Sequence, residues 1–587
     1  MINKLGLIPI FVFTSALCSG LYLSINRTAL EQIGPKSDFH VIKEFNGMNV
    51  FTRYDAAENA IIEATEDTLN AIDYHTRHIP EEWLNFDVQM AKDIKRNGLC
   101  DVLREPYVKA MQDYGIKVIE TRLVWWELEE KKGDHNYDRL KRDMDLIEKN
   151  GFKVGLFTWF QHPPKWATHF TRAKCLEDNM ESTIPSLWDK NLLVAYDRLY
   201  QDLAERLGNR IEFLFVGIYG DFGEVAFPSG VRHYKFSPPH NHSGLWCGDS
   251  LARLDYKRHL INKYRDIKRL NKAWQTDFSS FDADLMPHLP VIKNSLRQRL
   301  DFMDWYTGSL ITFTDNVCKI VRKYFPETGL AMPIGFVHEN LSTGQIKSLS
   351  AKTAAKYNIV SRWTGLAHLN EFDRSNICAR RISSAARYYG GKFGVEAALI
   401  INKENAANAI YETLSNSSSI FHNDPGNILR AEGIYEKYRH SITNLPVKCN
   451  VAVYYPIEAE MCQILKMESV YDEYQELRRY SDYEIADSYM ITDGFLSTIK
   501  ELVFPKNCLI PEATSKIIEE WIKNGGTAWY ITGNAPRILE NNQVFNIGEG
   551  IENWNRFGKN DGYYYTDHGD KFSKYDPKNK SIEILNK

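Results

Sequence analysis

The chain has 587 residues, a formal net charge of −4, and 43% hydrophobic against 25% charged residues, so it is globular and too long for one ordinary domain. That charge, with no long basic run, excludes nucleic acid as a natural partner. The 13 Trp and 32 Tyr, many near expected strand ends, suit sugar faces and equally a large core.

At the N-terminus Lys4 precedes an apolar run, 5–17, that is short for a membrane span and leads into Cys18-Ser19-Gly20. Residues 1–24 therefore read as a signal peptide, with Cys18 placed like the acylation cysteine of a lipoprotein. The expectation is export to the periplasm or outer membrane with a lipid anchor at Cys18. Eight other cysteines are scattered without a CxxC pair or zinc spacing and read as small buried hydrophobes, so neither a metal site nor a cofactor is expected.

Residues 25–68 read as a lead-in. From Asn70, short apolar runs alternate with amphipathic helical stretches. The runs are 71–74, 118–126, 154–160, 213–218, 329–336, 358–363, 392–399 and 417–424. Eight strands alternating with helices predict an α/β fold, a (β/α)8 TIM barrel over 69–445. The C-terminal strand ends of such a barrel meet on one face. The polar and aromatic residues there are Arg122, Trp126, Trp159, His162, Tyr219, Asp221, Glu224, Trp363, His368, Glu396 and Asp424. Trp246, in the insertion 240–249, is a further candidate for stacking on a sugar, with His242 and Asp249 beside it to hold hydroxyls. An aromatic basin with several carboxylates fits an oligosaccharide. No glycine-rich phosphate loop, GxSxG elbow or HExxH stands where another chemistry would need it.

Two acids stand out. Glu224 lies in the turn after the fourth strand, in VGIYGDFGEVAFPSG (216–230), and Glu396 sits in the otherwise apolar seventh, FGVEAAL. Glycoside cleavage needs one carboxyl group to protonate the leaving oxygen and a second to attack or to activate water. Strands four and seven lie across the barrel mouth, so these acids can face one bound sugar. A lone carboxylate in an apolar strand costs several kcal/mol unless paired, and the competing reading is a core Glu held by Arg122 or Arg362.

A second α/β unit, 446–535, follows. Its strand candidates are 450–455, 483–493, 499–504 and 527–531, and Gly525-Gly526 ends the helix 511–523. It holds no catalytic constellation and reads as an assembly module. The tail 536–587, with Tyr563, Tyr564 and Tyr565 in a row, reads as a short β-rich cap.

The segment RLVWWELEEKKGDHNYDRL…GFKVGLFTWFQHPPKWA (122–167) resembles the barrel of family 42 glycoside hydrolases, the β-galactosidases. So does KY…LNKAWQT (263–276). The smaller unit, with Leu496, Val503-Phe504-Pro505 and Gly525-Gly526, is similar to their trimerisation domain, of flavodoxin- or amidotransferase-like type. The resemblance spans roughly 70–535. It implies a retaining exo-β-glycosidase with Glu224 as acid/base and Glu396 as nucleophile, assembled as a homotrimer. Where that family has Asn immediately before the acid/base, this chain has Gly223, with Asp221 as the nearest polar substitute. Val124-Trp125-Trp126 and the Gly223-Glu224…Pro228-Ser229 turn also look like β-amylases, and the architecture resembles family 164 β-mannosidases. The alternatives are thus an inverting, β-amylase-like glucan hydrolase and a catalytically silent carbohydrate-binding barrel.

Overall fold

The computed structural model describes residues 39–45, 48–54, 108–109, 112, 116–220, 223–228, 244–335, 341–365, 372–397, 403–423, 445–465, 468–558 and 560–587. The expected export segment and Cys18 lie outside them.

The first strands among the described residues are Phe39–Phe45 (β1) and Met48–Tyr54 (β2), paired antiparallel from Phe45 against Met48. Ile116–Val124 (β3) and Lys153–Trp159 (β4) follow, and after β4 comes a small antiparallel hairpin, Arg172–Lys174 (β5) with Glu181–Pro185 (β6). Ile211–Val216 (β7), Gly329–Ile334 (β8), Val360–Gly365 (β9), Lys392–Ala397 (β10) and Ile420–Asn423 (β11) complete the series. The sheet closes into a barrel. Its parallel strands are β2, β3, β4, β7, β8, β9, β10 and β11, and β11 returns to β2 at Ile420 and Asn49. β1 lies antiparallel to both β2 and β11, along the closing seam. The helices Asp138–Lys149, Lys190–Leu207, Leu296–Tyr324, Lys347–Lys356, Phe372–Tyr388 and Lys403–Ser415 occur in the connections.

The expected barrel is present, with one relocation. Its first parallel strand is Met48–Tyr54, inside the stretch read as a lead-in; residues 71–74 lie outside the described residues. The signal was in the sequence: Asn46-Gly47 is the commonest two-residue hairpin dipeptide, and it stands between two β-rich heptapeptides. The numbering of the later strands survives, so β7 is the fourth parallel strand and β10 the seventh.

Side chains alternate across the wall with period two. Val118, Val124, Phe157, Trp159, Phe213, Phe215, Ala331, Val360 and Ile420 form one buried cluster, lining the barrel. Ile119, Leu123, Leu156, Leu214, Met332 and Val395, in the opposite phase, join the larger cluster shared with the helices. Burying each such Leu, Ile or Phe contributes roughly 1.5–3 kcal/mol, so the phase of every strand is firmly specified.

The second unit is a five-stranded parallel sheet. Its order is Glu484–Asp487, Val451–Tyr455, Glu501–Phe504, Thr527–Ile531 and Glu549–Ile551, the 2-1-3-4-5 order of flavodoxin-like folds. The fifth strand lies beyond residue 535, so this sheet reaches into the stretch read as tail. Tyr564–Asp567, Lys571–Asp576 and Ser581–Asn586 make a separate antiparallel sheet. The α/β unit docks on the barrel's helices through charges. Arg387 (2.5 Å) and Ser384 reach Glu484, Arg380 reaches Asp482 (2.9 Å), and Lys352 and Tyr389 both reach Asp493 at 2.6 Å.

Candidate active site

β7 ends at Val216, and the backbone then closes on itself around Glu224. Ile218 N donates to Gly223 O (2.8 Å), Gly223 N to Gly220 O (2.9 Å) and Gly220 N to Glu224 O (2.9 Å). The next residues tie this turn to the following strand and loop: Val225 N donates to Pro333 O (3.1 Å) and Phe227 N to Thr343 O (2.9 Å). Phe227 also stacks on Tyr306 of the long helix, ring centroids 3.9 Å apart. The Glu224 side chain is buried between two glycines. A Cβ on Gly220 would come within 3.0 Å of its Oε2, and one on Gly335 within 3.0 Å of its Cγ.

Gly223 has φ +83°, and a Cβ there would sit 3.0 Å from Gly217 Cα and 3.1 Å from the Phe157 ring. Glycine meets this turn's positive φ without cost, and an Asn before Glu224 would be strained there and press on Gly217 and Phe157.

Glu396 points into the barrel from β10. Arg362, on the neighbouring strand β9, forms a buried ion pair with its Oε2, and Thr364 Oγ1 donates to the same oxygen (3.2 Å). Arg362 also donates to Thr364 Oγ1 (3.0 Å), and its guanidinium lies over the Phe215 ring at 5.6 Å. The partner anticipated for a core Glu is thus in place.

Arg122, Trp126, Trp159 and His162 come together as a wall at the ends of β3 and β4. The Arg122 guanidinium lies 4.9 Å from the centre of the Trp159 ring and donates to Glu127 Oε1 (3.1 Å). Trp126 N donates to His162 O (3.2 Å), and the Trp159 and His162 rings are 6.1 Å apart.

Four expected sugar contacts belong elsewhere. Tyr219 is fully buried against Phe227 and Phe313, and its hydroxyl donates to Pro185 O (2.7 Å). Trp363 is out of phase: Arg362 and Thr364 take the inward positions of β9, and the indole faces the helix layer, donating to Ser375 Oγ (3.3 Å). Ser375 Oγ in turn donates to Glu412 (2.6 Å), whose carboxyl burial pushes up to about 8. Trp246 is 1% exposed and sits in the helix-side core. Asp249, expected beside it as a hydroxyl ligand, instead caps the helix Ser250–Tyr264, accepting from Leu251 N and Ala252 N at 3.0 Å each. Asp221, His368, Asp424 and His242 lie outside the described residues.

The barrel interior also holds a pair that the strand-end reading passed over. Glu120 Oε2 and His422 Nε2 are 3.8 Å apart, both fully buried, and the His422 ring stacks on Phe215 at 4.9 Å. Glu120 lies two residues before Arg122 on one strand face, and His422 is in register with Glu396. Period-two counting back from Arg122 and Asp424 would have found both.

The family model for family 42 glycosyl hydrolases, described as β-galactosidase, matches residues 102–393, just under half of the chain. The match includes Glu224 and stops three residues short of Glu396. A β-galactosidase of Halorubrum lacusprofundi is 22% identical over 226 residues, 38% of this chain and 31% of that protein. One of Heyndrickxia coagulans is 21% identical over 254 residues, 39% of this chain and 35% of the other. The aligned part thus spans about a third of the length of these curated relatives. Among solved structures, a family 42 exo-carrageenase from Bacteroides ovatus superposes with a TM-score of 0.58 at 11% identity, covering 89% of this chain and 87% of that one. A catalytic mutant of a family 42 β-galactosidase from G. stearothermophilus gives 0.56 at 14% identity, covering 84% and 78%. At such identities the likeness speaks for the fold.

Proposed function

We propose that this chain, a family 42-like glycoside hydrolase, is a retaining exo-β-glycosidase in which Glu224 is the acid/base and Glu396 the nucleophile. The observation that carries the reading is the pair of buried carboxyl groups at the fourth and seventh parallel strands of one barrel, each fixed by its own surroundings. Glu224 donates its proton to the glycosidic oxygen as a Glu396 oxygen attacks C1, and the C1–oxygen bond to the leaving group breaks. Water then attacks C1 of the glycosyl ester, its proton passes to Glu224, and Glu396 leaves as the carboxylate. The Arg362 guanidinium and the Thr364 hydroxyl hold the Glu396 carboxyl in place. Arg122, Trp126, Trp159 and His162 would bind the sugar. The curated relatives make β-galactosides the first substrates to try.

Proton NMR of early turnover on a β-linked nitrophenyl galactoside should show the β-anomer released first. Glu396→Ala should lose nearly all activity and, with azide, form the α-glycosyl azide. Early α-anomer would sink the retaining mechanism, and an active Glu396→Ala would sink the assignment. Glycan binding without turnover on a broad glycoside panel would favour the silent carbohydrate-binding reading, for which Gly223 is the best ground. Export, acylation at Cys18 and trimeric assembly through the second unit belong to the same proposal. A monomer mass by light scattering would remove the last of these.

A further inference from the structure

We propose that Cys175 and Cys247 form a disulfide that staples the segment 244–249 to the end of the β5–β6 hairpin. The pairing follows from the backbone. Leu176 N donates to Leu245 O and Gly248 N donates to Lys174 O, both at 2.8 Å. These bonds flank Cys175, whose own N–H donates to Met180 O (2.8 Å) and whose carbonyl accepts from Asn179 N (3.1 Å). Cys175 is therefore held against 245–248 between these two bonds, the close approach needed by a disulfide, which joins Cα atoms roughly 4.4–6.8 Å apart.

Trp246 and Cys247 lie between the two bonded positions of the facing segment. Trp246 N donates to the Tyr306 hydroxyl (2.9 Å), whereas Cys247 N turns back to Leu245 O (3.0 Å), which keeps Cys247 alongside the hairpin. The two segments are close: a Cβ on Gly248 would meet Cys175 O at 2.9 Å. Glu177 already clasps the two segments, its Oε2 accepting from Cys175 Sγ (3.1 Å) and from Leu245 N (2.8 Å). Both thiols are free and fully buried in this structure.

The bond forms by thiol–disulfide exchange with a small-molecule or protein disulfide. One cysteine thiolate attacks that disulfide and expels a thiolate. The second cysteine thiolate attacks the mixed disulfide and expels the other. The chain loses two hydrogens, and the donor is reduced to two thiols. Burial pushes the Cys175 thiol up to about 12 and the Cys247 thiol far above its usual range, so exchange belongs to the folding chain, before the segment closes. Once made, the bond is shielded from reductants, and it closes a loop of about 70 residues containing β7 and Glu224.

The test is to refold the full chain with glutathione and its disulfide, alkylate free thiols under denaturing conditions, and map the peptides by mass spectrometry. The expected product is one cross-linked pair holding Cys175 and Cys247, two hydrogens lighter than the separate peptides. It should resist dithiothreitol in the native state and yield to it in denaturant. The double variant Cys175→Ser/Cys247→Ser should melt with the reduced protein, several degrees below the oxidised one. Alkylation of both cysteines, bridging of either to another cysteine, or a double variant melting with the oxidised protein would overturn the pairing. Should the double variant not fold, the peptide map decides alone.

Discussion

Arg362 reaches Glu396 across one strand pair, and both side chains are almost wholly out of water. Removing one partner of such a pair leaves an uncompensated buried charge, at about 3–5 kcal/mol. Arg362→Met should therefore destabilise the protein by that order in urea titration. It should also suppress hydrolysis, because the guanidinium that holds the Glu396 oxygen in place for attack is gone. Arg362→Lys keeps the charge and loses the planar fork, so stability should recover further than rate. A Met variant as stable and active as the parent would show that the pair matters to neither. Gly223 carries a different constraint. Its positive φ and the contacts a Cβ would make with Gly217 and Phe157 dictate the shape of the turn that presents Glu224.

At the scale of elements, helices Phe372–Tyr388 and Lys403–Ser415 meet β9 through the relay Trp363–Ser375–Glu412. Burial raises the Glu412 carboxyl from 4.5 to about 8, chiefly by desolvation, with the Ser375 bond opposing. The unfolded chain therefore ionises this group above about 4.5, while the folded chain keeps its proton up to about 8. Stability falls as pH rises through that window, by an amount on the order of a few kcal/mol. Glu412→Gln retains an acceptor for Ser375 and removes the proton linkage. It should raise the melting temperature at pH 8 and change little at pH 4. An equal shift at both would refute the linkage.

The same elements show what was legible in the sequence. Seven of the eight parallel strands could be read from apolar runs bounded by helices, because both faces of a barrel strand are buried. Met48–Tyr54 was missed since its heptapeptide carries Asn49, Thr52 and Arg53 and reads as mixed, although the Asn-Gly turn before it was a cue. Phase was the other source of error. Trp363 ends an apolar run and looks like a mouth residue, yet it is one position out of step with Arg362 and Thr364. Tyr219 and Trp246 were read by residue type, and long-range packing against Pro185, Phe313 and Tyr306 determined their places instead.

The whole molecule joins two sheets of different kinds through a charged seam, and the seam has the opposite pH response to Glu412. Glu484, on an edge strand of the second unit, packs half-buried against the helix Phe372–Tyr388. Burial alone would raise its carboxyl, but Arg387 and Arg380, with bonds from Arg387 and Ser384, outweigh that and hold it below its usual 4.5. A lowered carboxyl contributes stability that is complete above about 4.5 and is lost as pH falls through its folded value. Glu484→Gln should therefore lower the melting temperature at pH 7, and the gap to the parent should narrow steadily below pH 4.5. Because Arg380 still has Asp482, the two units stay attached and the variant should unfold at a weakened junction. Calorimetry should then resolve one cooperative transition into two, the α/β unit and the barrel melting apart. A single transition with an unchanged midpoint at pH 7 would mean that apolar packing alone holds the units together and that the charged seam only sets their alignment.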